Sequence, residues 1–97
     1  EVRSRAIVVQ DYQVQTSDYF VGIQSQQNLI ITLPDANSLI NGQIFIITDE
    51  SGNAQIHDLV IQTQSGQTID GQNQLTIVSP RSSMSMYTDG QSNFFLF

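Results

Sequence analysis

The chain contains no cysteine and no lysine. Without cysteine no disulfide braces the fold, and neither a thiol nucleophile nor a thiolate metal ligand is available. Arg3, Arg5 and Arg81 are the whole basic complement, set against nine acids for a net charge of −6. That balance excludes a footprint on nucleic acid or on an anionic membrane, because both require clustered positive charge. Charged residues make up only 12% of the 97 residues, about half of the usual ~25%. Gln, Ser, Thr and Asn take their place. A surface of amides and hydroxyls with little charge suits neutral polar ligands such as glycans. No apolar run approaches the ~18 residues of a membrane helix. The N-terminus lacks the basic-then-apolar layout of a signal peptide. The chain opens on Glu1 and not on Met, so it reads as a domain of something longer that continues upstream.

What is present is a series of short apolar runs rich in β-branched and aromatic residues, each bounded by turn residues. That is the signature of strands. The runs are 6–10, 12–15, 19–24, 28–33, 43–48, 58–63, 74–78, 83–87 and 93–97. Turns recur every 8–12 residues, which predicts a small all-β fold: an antiparallel sandwich or barrel-like domain of eight or nine strands. Asn41-Gly42 and Asp89-Gly90 are reversal signals. Residues 35–40 fit one helical turn started by Asp35 or Pro34. Ile69, between Gly66 and Gly71, reads as the buried plug of a tight corner.

Alternate residues of a strand face opposite ways. In 83–87 this sends Met84 and Met86 inward and Ser85 and Tyr87 outward. Three runs are apolar on both faces: 29–31, 44–47 and 94–97. In the last, Phe94 and Leu96 serve the subunit's own core, while Phe95 and Phe97 point the other way. An antiparallel domain of this size usually leaves one strand face polar. Three two-faced strands therefore predict a second layer made by other copies of the chain, with Phe95, Phe97, Ile31 and Phe45 at the shared interface.

A search for catalytic parts returns little. His57 is the only histidine and reads as a turn residue; no nearby nucleophile or second base accompanies it. A zinc site would need His57 with carboxylates alone. The aspartates fall at strand ends and turns, where their side chains cap backbone amides. The segment 49–53 faintly resembles a calcium loop but lacks the ligand spacing and distal Glu of an EF-hand, so a capped turn is the better reading. There is no phosphate-binding Gly loop, no nucleophile elbow and no glycosylation sequon. No catalytic residues, metal or cofactor are expected. The residues suited to binding are Tyr87 and Tyr19, which pair a flat apolar ring with a hydroxyl, together with outward Ser85 and Arg81 in the serine-rich loop 79–83.

The order of motifs carries a resemblance. Thr32-Leu33-Pro34-Asp35-Ala36 is followed by Asn41-Gly42-Gln43-Ile44-Phe45-Ile46-Ile47. Next come Asp49-Glu50-Ser51-Gly52-Asn53-Ala54, Leu59-Val60-Ile61 and Gly66-Gln67-Thr68-Ile69-Asp70-Gly71. Tyr87-Thr88-Asp89-Gly90 and an aromatic strand close the series. From about Gln13 to Phe97 this resembles the small all-β domains near the C-termini of bacteriophage tail fibres, tail spikes and related trimeric fibre adhesins. Such domains often carry Trp where this chain has Phe94, and a short Gly- or Tyr-containing turn where it has Pro80-Arg81.

The resemblance implies a scaffold and no active site. It implies a homotrimer, with residues 1–12 the end of a shaft or connector and 13–97 the fibre-tip domain. It also implies contact with a cell-surface glycan or surface protein, from a fibre on a virion tail or outside a cell. Nucleic-acid binding and membrane insertion are not expected. The alternatives are a purely structural cap that trimerises the fibre, or a glycan-degrading tailspike module.

Overall fold

Ten strands and one short 3₁₀ turn make up the chain in the computed structural model, which describes residues 2–97. Glu1, and with it the expected upstream continuation, lies outside the described residues. The strands are β1 (Arg5–Val8), β2 (Tyr12–Gln13), β3 (Phe20–Ile23), β4 (Leu29–Thr32) and β5 (Ile44–Asp49). After them come β6 (Leu59–Gln62), β7 (Thr68–Ile69), β8 (Gln74–Ile77), β9 (Ser83–Thr88) and β10 (Asn93–Leu96). The 3₁₀ turn covers Ala36–Ser38, and the Asp35 carboxylate caps it by accepting the Asn37 N–H. The sequence expectation of a capped turn here is met. Part of the stretch read as a connector is sheet: the four residues of β1 and Tyr12 of β2 are paired strand residues at the sheet edges.

The strands form two sheets, one of six in the order β1-β3-β5-β9-β10-β7 and one of four in the order β2-β4-β6-β8. The all-β, two-sheet expectation holds. The expected antiparallel arrangement does not. Five of the eight pairings are parallel: β1–β3, β3–β5, β2–β4, β4–β6 and β7–β10. From β1 to β6 successive strands alternate between the sheets. Each β1-β2, β3-β4 and β5-β6 pair is thus one coil, stacked in register on the next. A parallel pair needs a long crossover; here the strand in the opposite sheet is the crossover. Asn41-Gly42, read as a hairpin signal, sits in the passage from one sheet to the other. Asp89-Gly90 does join an antiparallel pair, β9 and β10. A Cβ added at Gly90 would lie 2.9 Å from the Asn41 backbone nitrogen, and its φ is +74°. Both the space and the backbone require glycine there.

Stacking aligns like with like. Val21 faces Ile47 across β3–β5, Leu29 faces Leu59 and then Ile77, and Ile31 faces Ile61. These columns point into the space between the sheets and are almost fully buried, together with Phe45, Met86, Phe94 and Ile69. Ile69 is indeed the corner plug. Ile31 and Phe45, expected at an interface between subunits, have no exposed surface. They are core residues of their own subunit and have nothing left to share. Phe94 is buried as expected, while Leu96, one pleat further along, is 36% exposed where the strand runs out.

The parallel stack also sorts the connections. Loops 9–11, 24–28 and 50–58 lie together at the end where β1, β3 and β5 finish, here called the upper rim. The returning loops 14–19, 33–43 and 63–67 form the lower rim.

Candidate interaction surface

The outer face of the six-stranded sheet is where the two-faced strands meet. Tyr87 on β9 lies opposite Ile44 on β5 and Phe95 on β10, making one outward column. A second column runs Arg5, Phe20, Ile46, Ser85. It ends at Phe97, whose N–H donates to the Ser85 carbonyl while Ser85 Oγ donates to the Phe97 carbonyl. The rings of Phe95 and Phe97 lie 5.4 and 5.8 Å from that of Tyr87, tilted against it. Phe20 is 38%, Tyr87 41% and Phe97 66% exposed. Six large apolar side chains thus line one outward stripe, with Phe20, Tyr87 and Phe97 exposed and Ile44, Ile46 and Phe95 half-buried between them, of the kind that marks an association surface.

Towards β1 the same face turns ionic. Glu50 accepts two bonds from the Arg5 guanidinium and one from Gln24. The Arg5 hydrogen bond, followed by the Gln24 amide, holds Glu50 below the usual carboxylate value, and Glu50 in turn raises Arg5. The Glu50 carboxylate lies over Gly22, in the space a side chain there would fill. Thr48 and Ser83 add a hydroxyl–hydroxyl bond of 2.8 Å beside it.

Of the residues expected to bind a ligand, Ser85 and Tyr87 share the apolar face. Arg81 lies away from them, at the upper end of the strands, while Tyr19 lies at the lower end, beside Phe20 at the margin of that face. Arg81 belongs to the upper rim: its N–H donates to Asp49 and its Nη1 to the Glu50 carbonyl. Its backbone is left-handed, at φ +66°, and its side chain lies against Gly52. These contacts tie Arg81 to the end of β5 and the loop that follows it. Tyr19 precedes β3, packs edge-on against Phe20 at 4.7 Å, and sits beneath the Arg3 guanidinium at 5.1 Å. Phe95 and Phe97, expected at an interface, do face outward together. Phe20, Ile44 and Ile46 complete the stripe and were not singled out by the sequence. The signal for them is strand parity relative to Phe45, usable only once the pairing is known.

The capped-turn reading of 49–53 is met in full. Asp49 is buried, and its carboxylate accepts the N–H groups of Gly52, Asn53, Ala54 and Arg81 at 3.0–3.2 Å. Burial, the largest single influence, pushes this carboxyl up. The four N–H donors together outweigh it and leave it below its ordinary value. Asp89 plays the same part at the lower rim, taking Asn93, Gln91 and Ser92, which lowers it to about 2. His57 is a turn residue, its N–H bonded to the Asn53 carbonyl. Among the described residues no three His, Asp or Glu side chains gather as metal ligands. No known protein family matches this chain, and no curated protein does so either.

Proposed function

We propose that this domain is an adhesion module of a trimeric fibre, non-catalytic, carried on a virion tail or outside a cell. The observation that carries this reading is the outward-facing apolar stripe Phe20, Ile44, Ile46, Tyr87, Phe95 and Phe97. Three copies turning this face to a common axis would bury it, and the rim loops would remain free to meet a cell surface. The number three comes from the motif resemblance; the stripe supports copies meeting on this face. Stacked parallel coils also suit a fibre, since columns of like residues extend along one direction. On this reading Tyr87 and Ser85 are assembly residues, and recognition belongs to the rims. Weak sites repeated three times on one particle gain by avidity.

Light scattering tests the assembly. The purified domain is expected to show the mass of three chains. Phe95→Asp is expected to show the mass of one chain with an unchanged circular dichroism spectrum, because Phe95 faces away from its own core. A wild-type domain that stays a single chain at micromolar concentration would overturn the reading. Binding of the trimer to cells separates an adhesin from a structural cap, which would bind none.

A further inference from the structure

The upper rim contains a second feature, independent of the apolar stripe. A wide, open cleft of about 820 Å³ crosses it, lined by Gln10, Asp11, Gln26, Gln27, Asn28 and His57. All three stacked coils contribute: loop 9–11 gives Gln10 and Asp11, loop 24–28 gives Gln26, Gln27 and Asn28, and loop 50–58 gives His57. Two of these side chains are fixed by the next coil. Asp11 Oδ1 accepts the Ile30 N–H at 2.8 Å, and Asn28 Oδ1 accepts the Asp58 N–H at 2.9 Å. Each bond uses one end of its planar group. The second Asp11 oxygen remains an acceptor, and the Asn28 amide nitrogen remains a donor of two hydrogens. Gln10, Gln26 and Gln27 are exposed, and their amides add adaptable donors and acceptors. Half-buried His57 supplies the one ring in the lining.

We propose that this cleft binds a neutral glycan by its vicinal hydroxyls, with Asp11 accepting from one hydroxyl and Asn28 donating to its neighbour. A sugar diol presents a donor and an acceptor side by side, and a fixed carboxylate and a fixed amide in one lining offer a partner to each. Holding the two groups in advance spares the cost of ordering them on binding. The carboxylate and the net charge of −6 select against sialylated or sulfated chains. The proposal rests on the adhesion reading and locates its recognition site.

The test uses two near-isosteric variants. Asn28→Asp keeps the acceptor for the Asp58 N–H and removes the donor. Asp11→Asn keeps the acceptor for the Ile30 N–H and exchanges the free acceptor for a donor. Wild-type protein on a glycan array is expected to bind neutral oligosaccharides. Each variant is expected to weaken the best of them about tenfold, the effect of one charge-assisted or fixed hydrogen bond, with unaltered melting temperature and mass. Gln26→Ala with Gln27→Ala, which touches no bond within the fold, is expected to weaken binding as well. Unchanged affinity in all three, or a preference for anionic glycans, would overturn the proposal. Cell binding without any array signal would remove the cleft and leave the adhesion reading standing. Absence of both would remove the two together.

Discussion

Replacing Asp49 with alanine is expected to lower the stability of the domain by about 3–4 kcal/mol, measured by urea unfolding. Four backbone N–H groups converge on this one carboxylate. A buried donor that loses its acceptor costs about 1–3 kcal/mol. Ala54 lies in the core, so water cannot replace the lost oxygen there; Gly52, Asn53 and Arg81 are nearer the surface and recover part of the loss. The carboxylate also joins two distant segments, because Arg81 is 32 residues away in sequence. Its loss should therefore loosen loop 78–82 as well as loop 50–58, visible as faster amide exchange in both. Asp49→Asn keeps one acceptor but turns an NH₂ group towards two donors, and is expected to cost about 2 kcal/mol. The pH dependence has a definite sign. A carboxyl whose folded value is lowered stabilises in full above its unfolded value and stops doing so as pH falls through the folded one. Asp49 and Asp89 both start from 3.8, and Asp89 reaches about 2. Stability should hold down to about pH 4 and fall between there and about pH 2. In Asp49→Asn part of that acid loss should be absent.

Phe94→Ala and Phe45→Ala are each expected to cost about 3–5 kcal/mol, the usual penalty for emptying a core of a phenyl ring. Both rings are fully buried. Phe94 lies on β10 between Thr88 on β9 and Ile69 on β7. Phe45 lies on β5 beside Met86 on β9. Domains of this kind are stable by about 5–15 kcal/mol in all, so either change removes a large share of the total. Because these rings are covered within one subunit, the loss should not vary with protein concentration, and it should persist in the Phe95→Asp background. Phe95 behaves oppositely: its substitution should alter assembly first and the melting of the single chain little. Parallel urea titrations at two concentrations separate the two classes of residue. A concentration-dependent loss for Phe45→Ala would return it to the subunit interface.

The alternation of apolar and polar residues made much of the fold legible. Nine of the strands lie within or close to the expected runs, and the outward aim of Ser85, Tyr87, Phe95 and Phe97 followed from parity alone. Parity reports which way a side chain points and not which way its strand runs. Asn41-Gly42 therefore looked like a reversal, when Gly42 admits the left-handed backbone of a passage between sheets. The same ambiguity misplaced Ile31 and Phe45: a strand apolar on both faces was visible, but which of its faces met the core was not. The two residues of β7 are too few for any period to show. Arg81 was read as a donor to a ligand because its loop is polar, and nothing local reveals that Asp49 and Glu50 occupy it. The rim cleft was equally hidden, since its six residues come from three loops that only stacking brings together.

The alternation of strands between sheets also sets how this chain must fold. β1 finds its partner 15 residues on, β3 finds β5 26 residues on, and β4 finds β6 30 residues on. Each pairing closes a loop before any ladder is gained, and such closure slows the search for the native state. Among the described residues the β9–β10 hairpin, Thr88 against Phe94, is the most local pairing between two strands. A chain emerging from the ribosome presents β5 with only its parallel neighbour until β9 arrives, and leaves the Phe94 site empty until β10 follows. The core therefore cannot close until β9 and β10 have been made, and refolding from urea is expected on the millisecond-to-second scale of topologies rich in long-range pairing.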